Sequence, residues 1–410
     1  MVDLAMPRVK DRCRSRFQGG VLARPGPRNW PPGDAGLYSA GTCLPDDDAM
    51  TDAASPALAA DPLAADEPRL TSLAHGGGCG CKIAPALLAQ ILRGARGLPV
   101  PPQLLVGIET GDDAAVWQLN DQQAIVATTD FFMPIVDDPV DFGRIAATNA
   151  ISDVYAMGAT PIFALALVGM PINRLSATTI GRILDGGAQA CAAAGIPIAG
   201  GHSIDSVEPI YGLVALGVVD PAQLRRNAGA RPGDVLVLGK PLGVGIYSAA
   251  LKQGALDDAG YGQMIATTTR LNTPGPELAA LPGVHAMTDV TGFGLAGHAL
   301  EMARGSGCRL AIDWSAVPLL DQARELAEGG FITGASGRNQ ASLGDGAGFA
   351  DHLSDIDRAL ACDPQTSGGL LVACAADSVA AVLALLDRHG FDAAAVIGRV
   401  VGGEPGVDLA

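Results

Sequence analysis

The run His75-Gly76-Gly77-Gly78-Cys79-Gly80-Cys81-Lys82 concentrates reactive side chains on a glycine-rich segment. Glycines let the backbone approach a ligand closely and turn its N–H groups toward an anion. A thiol on such a loop beside a cation gives up its proton more readily and becomes a nucleophile. Cys79 is therefore a candidate catalytic thiol. Lys82 is one of only four lysines, with Lys10, Lys240 and Lys252, and a compact ammonium suits a phosphate oxygen. The run also fits two other descriptions. His75, Cys79 and Cys81 are metal-ligand types, although Cys-x-Cys without a second pair falls short of a closed zinc site. A flexible loop can also carry a thiol that does nothing.

Aspartates at the ends of strand-like runs form the second candidate set. Asp112 and Asp113 precede Ala114–Val116, Asp130 follows Ile125–Thr129, and Asp289 follows Ala286–Thr288. Asp153 lies in the helical run Asn149–Asp153. Hard carboxylate oxygens are what Mg²⁺ takes, and nucleotide phosphates complete its shell. Any one of these aspartates also fits an ordinary turn or helix cap. The case rests on several of them falling at strand ends in a chain poor in basic residues.

Three glycine-rich turns follow apolar strands: Gly200-Gly201-His202-Ser203, Thr291-Gly292-Phe293-Gly294 and Thr366-Ser367-Gly368-Gly369. Each is expected to be an anion-holding turn or a helix N-terminus. His202 could polarise a phosphate there, or serve only as a structural hydrogen-bonder. The chain has neither a Gly-x-x-x-x-Gly-Lys-Ser/Thr loop nor a Gly-x-Ser-x-Gly elbow. Asp141-Phe142-Gly143 matches a kinase tripeptide, but no kinase catalytic loop precedes it.

These residues need elements to hold them. The spacing predicts strands at Leu104–Ile108, Ala114–Leu119 and Gln123–Thr128, then a helix over Phe142–Met157. A strand at Pro161–Val168, a helix at Thr178–Ala194 and strands at Ile196–Ala199 and Ile210–Val219 complete a first unit. A polar Gly/Arg/Pro stretch, Asn227–Gly233, reads as a boundary. The second unit again mixes strands, at Asp234–Leu238, Val284–Met287, Arg309–Ile312, Gly369–Ala373 and Ala395–Val400, with helices. Those helices are expected at Gly245–Lys252, Gly262–Leu271, Gly294–Arg304 and Ser378–His389, and Gly329–Gly348 reads as a Gly-rich segment. Thr129-Asp130 and Thr288-Asp289 both end apolar strands, a weak sign of internal duplication. The fold class is α/β, mixed α+β in its element order. The organisation is a tail over 1–66, a first domain over 67–227 and a second over 228–410.

Composition narrows the function classes. Of 410 residues, 48% are hydrophobic and 17% charged, which is a core-forming balance. The net charge of −16 and 4% aromatic content disfavour nucleic-acid binding, which needs basic patches and stacking platforms. An anionic ligand in such a protein calls for metal ions to neutralise it. No apolar run reaches the ~18 residues of a membrane span, so no membrane role is expected. Eight cysteines without a secretory leader point to a reducing, cytoplasmic setting. Residues 1–66 show no helical or strand period and are expected to be a disordered extension, or the product of a start codon placed too early.

Seven ordered motifs carry a resemblance to a known family. They are His75–Lys82, Gly111–Val116 (GDDAAV), Thr128–Val136 (TTDFFMPIV), Asp141–Asp153 (DFGRIAATNAISD), Gly200–Asp205 (GGHSID), Met287–His298 (MTDVTGFGLAGH) and Cys362–Leu371 (CDPQTSGGLL). From about Arg69 to the C-terminus the chain closely resembles the selenophosphate synthetases. The Gly-Cys-Gly-Cys-Lys loop sets that family apart from its relatives in purine and thiamine synthesis. The resemblance implies a two-domain, aminoimidazole-ribonucleotide-synthetase-like fold and a homodimer. It implies a phosphotransferase that makes selenophosphate, AMP and orthophosphate from selenide, ATP and water. By motif match, Cys79 would handle selenium and Lys82 would contact the ATP phosphates. Asp113, Asp153 and Asp289 would hold Mg²⁺, with Asp130 at the nucleotide–metal site. Thr110, Gly111 and Asp112 would line the ATP, and Gly201, His202 and Ser203 would reach it from the partner subunit. Asn149 matches a further polar position. A dependence on K⁺ would fit the family. Another ATP-dependent synthetase or kinase of the same fold, and an idle metal-binding or redox module using Cys79 and Cys81, are the competing readings.

Overall fold

The computed structural model describes residues 67–83, 85–92, 100–108 and 111–410. The extension expected over 1–66 and the candidate Thr110 lie outside the described residues. A short helix, α1 (Pro85–Leu92), follows the cysteine loop.

The first sheet is built from β1 (Leu104–Val106), β2 (Ala115–Asn120), β3 (Gln123–Phe132), β4 (Thr160–Met170), β5 (Ile198–Asp205) and β6 (Ile210–Val219), in the order β1-β2-β3-β6-β4-β5. All neighbours are antiparallel except β4 and β5, which run parallel. One face is covered by α2 (Pro139–Ala156), and α2 packs in turn on α3 (Ala177–Ala193). Asp138 starts α2: its carboxylate accepts from the N–H groups of Val140 and Asp141, and Pro139 sits in the first turn. Along β3, Ala124, Val126, Thr128, Asp130 and Phe132 alternate onto the buried face. The register between β3 and β6 pairs Ile125 with Val218, Ala127 with Leu216 and Thr129 with Val214, so these residues share the opposite face.

The second sheet draws on β7 (Val235–Leu238), β8 (Val284–Asp289), β9 (Arg309–Ile312), β10 (Ala347–Phe349), β11 (Leu370–Cys374), β12 (Ala395–Val401) and β13 (Gly406–Leu409), in the order β10-β13-β9-β12-β7-β11-β8. Its helices are α4 (Val244–Lys252), α5 (Asp258–Thr268), α6 (Gly275–Ala280), α7 (Gly294–Ser306), α8 (Ala323–Glu328), α9 (Gly334–Leu343), α10 (Asp355–Ala361) and α11 (Val379–Arg388). The β11 strand is buried at every residue, as its continuous apolar run requires. β8 forms one edge and delivers Thr288 and Asp289 at its end.

Two expectations change. Gly200-Gly201-His202-Ser203 is not a turn but part of β5, at the edge of the first sheet. Pairing with β4 holds this stretch extended, with alternate residues facing opposite ways, so its N–H groups are not gathered toward an anion. Within Gly329–Gly348 the chain forms α9, because the Thr333 hydroxyl caps it at Ser336 N–H and outweighs the low helical propensity of Gly334 and Gly337.

Candidate active site

Residues 78–81 form a single helical turn that buries Cys79. Gly78 is required there: its φ is +54°, and a Cβ would lie 2.3 Å from Thr366 Oγ1. That hydroxyl accepts a hydrogen bond from Cys79 N–H at 3.2 Å. The thiol donates to Asn149 Oδ1 at 3.2 Å, and Ser367 N–H donates to the same oxygen at 2.7 Å. Asn149 Nδ2 donates to Asp130 Oδ2 at 2.7 Å, and Asp130 pairs with Lys82 at 3.3 Å. Cys79, Asn149, Asp130 and Lys82 are therefore joined in one continuous polar chain.

Two elements supply its middle. On β3, the two-residue period turns Thr128 and Asp130 toward α2. On α2, Asn149, Ser152 and Asp153 stand on one face at helical spacing. Thr128 donates to Asp153 at 2.5 Å and Ser152 to Asp289 at 2.5 Å. Thr288 donates to Asp113 at 2.8 Å. Asn272 donates to Ser152 and to the Gly368 carbonyl. Asp112 accepts from Asn227 N–H. The end of β8, the 111–113 turn, α2 and the cysteine loop thus meet around one set of carboxylates.

Burial and mutual repulsion dominate the electrostatics of these carboxylates. Burial raises the Asp113 carboxyl well above its usual range, and Asp289, Asp112 and Asp153 push it further. Burial, then Asp289 and Asp130, raise Asp153. Burial raises Asp289 against the Ser152 hydrogen bond. Burial moves Asp112 up to about 6. Burial also raises the Cys79 thiol, and Asp130 adds to that more than Lys82 subtracts. For Lys82, desolvation disfavours the ammonium, but Asp130 and the other negative groups hold its pKa above the ordinary lysine value. Cys79 is thus a protonated thiol at rest, not the pre-formed nucleophile that its position beside Lys82 implies.

A cavity of about 370 Å³ opens at this place, lined by Cys79, Lys82, Asp130 and Phe131 among others. Asp112 Oδ2 and Asp113 Oδ2 are buried and have no hydrogen-bond partner. Such oxygens, on hard carboxylates, fit a divalent cation. Among the described residues no three His, Cys, Asp or Glu side chains are already gathered around one point as a metal site.

The structure brings together Cys79, Lys82, Asp112, Asp113, Asp130, Asp153 and Asp289, with Gly111 exposed at their rim. It does not bring Gly201, His202 and Ser203 to them within one chain. Those three are exposed on β5, and β6 and β4 stand between β5 and β3, about three strand spacings or ~14 Å. Thr366 holds the Cys79 backbone and Ser367 holds the Asn149 that receives the thiol proton, yet by sequence they read only as an anion turn. Ser367, at φ +57°, is the one described non-glycine residue with positive φ. Its place before two glycines was the signal available.

The chain matches the family model AIR synthase related protein, N-terminal domain, over residues 111–219, and the corresponding C-terminal domain over 231–409. It is 66% identical to the selenide, water dikinase of Dechloromonas aromatica (strain RCB) over 341 residues, 83% of this chain and 98% of that protein. It is 65% identical to the protein of that name from Burkholderia ambifaria (strain MC40-6), over 84% of this chain and 97% of the relative. The one from Rhizobium meliloti (strain 1021) is 60% identical, over 82% and 96%. Among solved structures, thiamine-monophosphate kinase from Stenotrophomonas maltophilia K279a superposes with a TM-score of 0.54 at 24% identity, covering 80% of this chain and 96% of that one. The HypE-HypF complex gives 0.59 at 19% identity, covering 79% and 95%. At these identities the structural likeness concerns the fold.

Proposed function

The chain belongs to the selenide, water dikinase family, and from that premise we propose how its residues perform the reaction. It is an ATP-dependent enzyme that makes selenophosphate from selenide and water, releasing AMP and orthophosphate. The observation that carries the residue assignment is the polar chain from the Cys79 thiol through Asn149 and Asp130 to Lys82.

Lys82 contacts the phosphates of ATP. Its pairing with Asp130 holds the ammonium over the cavity, where it offsets charge on the transferring group. Asp113, Asp153 and Asp289 hold Mg²⁺, with Thr110, Gly111, Asp112 and Asp130 at the nucleotide. When bound, Mg²⁺ supplies charge neutralisation and orients the phosphoryl oxygens. The unpartnered Asp112 and Asp113 oxygens support this assignment. Cys79 handles selenium. Kept as a neutral thiol against Asn149, it adds no charge to the carboxylates until cations arrive. The burial of Cys79 by the glycine loop keeps bulk water from the first transfer.

The site becomes complete in a homodimer. Trp117, Leu119 and Phe131 are 43%, 54% and 51% exposed on one apolar sheet face, which supports burial against a second copy. His202 pairs in register with Leu167, and Leu167 with Gly212 opposite Phe131, so His202 belongs to that face. Gly201, His202 and Ser203 then reach the nucleotide of the partner subunit. We divide the chain at 227/228, between the two family-model matches, with 1–66 as an extension outside both domains. K⁺ is a further activator. A cytoplasmic location agrees with the unpaired state of Cys79, Cys81, Cys191, Cys308, Cys362 and Cys374. No described helix is long and apolar enough to cross a membrane.

The test follows phosphorus products by ³¹P NMR, anaerobically, with ATP, Mg²⁺ and selenide. The expected result is a selenium-coupled phosphorus signal with AMP, lost in Cys79→Ser. Selenophosphate from both proteins would remove Cys79 from the chemistry. ADP alone, unaffected by selenide, would instead support another kinase or synthetase of this fold.

A further inference from the structure

The cysteine loop has a second side. Behind it, away from the carboxylates, lies a cavity of about 320 Å³ walled by His75–Gly77, Gly80, the α4 residues Ser248 and Lys252, the start of α9 with Arg338, and Thr366. Its wall is thin where it matters. Thr366, which lines the cavity, accepts the hydrogen bond from Cys79 N–H, and Gly80 is the next residue in the chain.

The charge on this side has the opposite sign. Lys252 and Arg338 both line the cavity, and among the described residues neither is ion-paired with a carboxylate. In a chain of net charge −16 with four lysines, two unpaired cations in one concave site stand out. Each is held by a loop carbonyl: Lys252 Nζ donates to Ala74 at 2.9 Å and Arg338 to Gly80 at 3.2 Å. The nearby carboxylates are engaged elsewhere. Asp137 accepts from Arg69 and Thr71, and Glu208 accepts from His75. The cations' field reaches the loop. Burial pushes the Cys81 thiol up to about 11; the Met133 backbone pulls it down, Glu208 pushes it up, and Arg338 and Lys252 pull it down.

Hydroselenide is a monoanion at neutral pH. On the nucleotide side it would compete with the phosphates of ATP for Lys82 and for the cations held by Asp113, Asp153 and Asp289. On the other side the cavity lining carries two cations and no carboxylate. A concave site lined by one sign of charge concentrates the opposite ion. We propose that the cavity between Lys252 and Arg338 is the admission chamber for the selenide substrate, from which hydroselenide reaches Cys79 past Gly80 and Thr366. This deepens the dikinase reading and rests on it: ATP and selenide enter from opposite faces of one loop.

The test compares wild type with Lys252→Met, Arg338→Met, the double variant, and the conservative Lys252→Arg and Arg338→Lys. Steady-state assays measure selenophosphate against selenide and ATP separately. The double variant is expected to raise KM for selenide about fivefold or more, with KM for ATP and kcat within about twofold, and the conservative variants to restore it. Raising ionic strength should weaken selenide use by wild type but not by the double variant. A second readout needs no turnover: alkylation of Cys79 by iodoacetate and by iodoacetamide, reagents alike in size but differing in charge. The rate ratio should shift toward neutral iodoacetamide by about threefold or more in the double variant. If KM for ATP and selenide rise together and both reagents change alike, the two cations only anchor the loop and the proposal fails. Unchanged kinetics in the double variant also overturn it. A wild-type enzyme making no selenophosphate would refute the dikinase reading itself, while a charge-dependent alkylation ratio would still identify an anion chamber.

Discussion

The Cys79 thiol points its proton at Asn149 Oδ1, 3.2 Å away, with both residues buried. The same oxygen accepts Ser367 N–H, and the amide's other end is committed to Asp130. Asn149 therefore cannot turn without breaking three contacts, and the thiol has a fixed direction before any ligand arrives.

This sets the pH dependence of the thiol. Burial and Asp130 both raise its pKa, so the nucleotide-free enzyme should show Cys79 alkylation by iodoacetamide still climbing at pH 9, without a plateau below it. Removing a negative neighbour favours the thiolate, so Asp130→Asn should move the profile to lower pH. Peptide-resolved mass spectrometry reads both. A wild-type plateau near neutrality would contradict the environment described.

Lys82 should resist conservative exchange. Its single ammonium meets Asp130 at 3.3 Å, whereas guanidinium is a wide planar fork. Lys82→Met is expected to lower kcat by about 10²- to 10³-fold, and Lys82→Arg to recover little of it. Quenched-flow measurement of ATP consumption would show the loss in the first phosphoryl transfer.

Asp289 is buried at a cost in stability. Its folded-state pKa is raised, so the carboxylate costs no stability below the unfolded value, and the cost grows as pH rises from the unfolded to the folded value and levels off above it. Asp289→Asn keeps an acceptor for Ser152 and removes the charge. The metal-free variant should melt a few degrees higher than wild type at pH 7 (about 1 kcal/mol), with the gap closing toward pH 4. Mg²⁺ with ATP should stabilise wild type more than the variant. Thermal scans with and without the nucleotide check both.

Ser367 holds a left-handed conformation, and its hydroxyl is buried without a partner. Ser367→Gly relieves both costs against a gain in unfolded-chain entropy. Chemical denaturation should show about 0.5–1 kcal/mol of added stability. A loss of stability would mean that the hydroxyl has a partner after all.

The open sheet face gives the test for assembly. Phe131→Asp puts a charge where a second copy is expected to cover apolar surface. Light scattering should report a monomer in place of a dimer. Selenophosphate synthesis should fall with it if, as proposed, Gly201, His202 and Ser203 act across the interface.

Local spacing carried the local geometry. The strand after Gln123 was legible, but it runs on through Asp130 to Phe132 rather than stopping before Asp130; the helical step from Asn149 to Asp153 was enough to align those two. The glycines before Cys79 announced a tight loop, and Thr288-Asp289 announced a strand end. These are readable because a strand or helix repeats over neighbouring residues. What holds the thiol is not. Cys79 is tied to Thr366 across 287 positions, and Asn149 to Ser367 across 218. Likewise, Gly201–Ser203 have the composition of a turn, and only pairing with β4 makes them an edge strand. The cationic cavity joins Lys252 and Arg338, which share no motif and meet only because α4 and α9 flank the same loop. The sequence by itself determined which residues could do chemistry and on what elements they sit. The tertiary structure decided which way the thiol points, its protonation and which face of the loop is positive, because hydrogen bonds and fields act through space between segments that no local period relates.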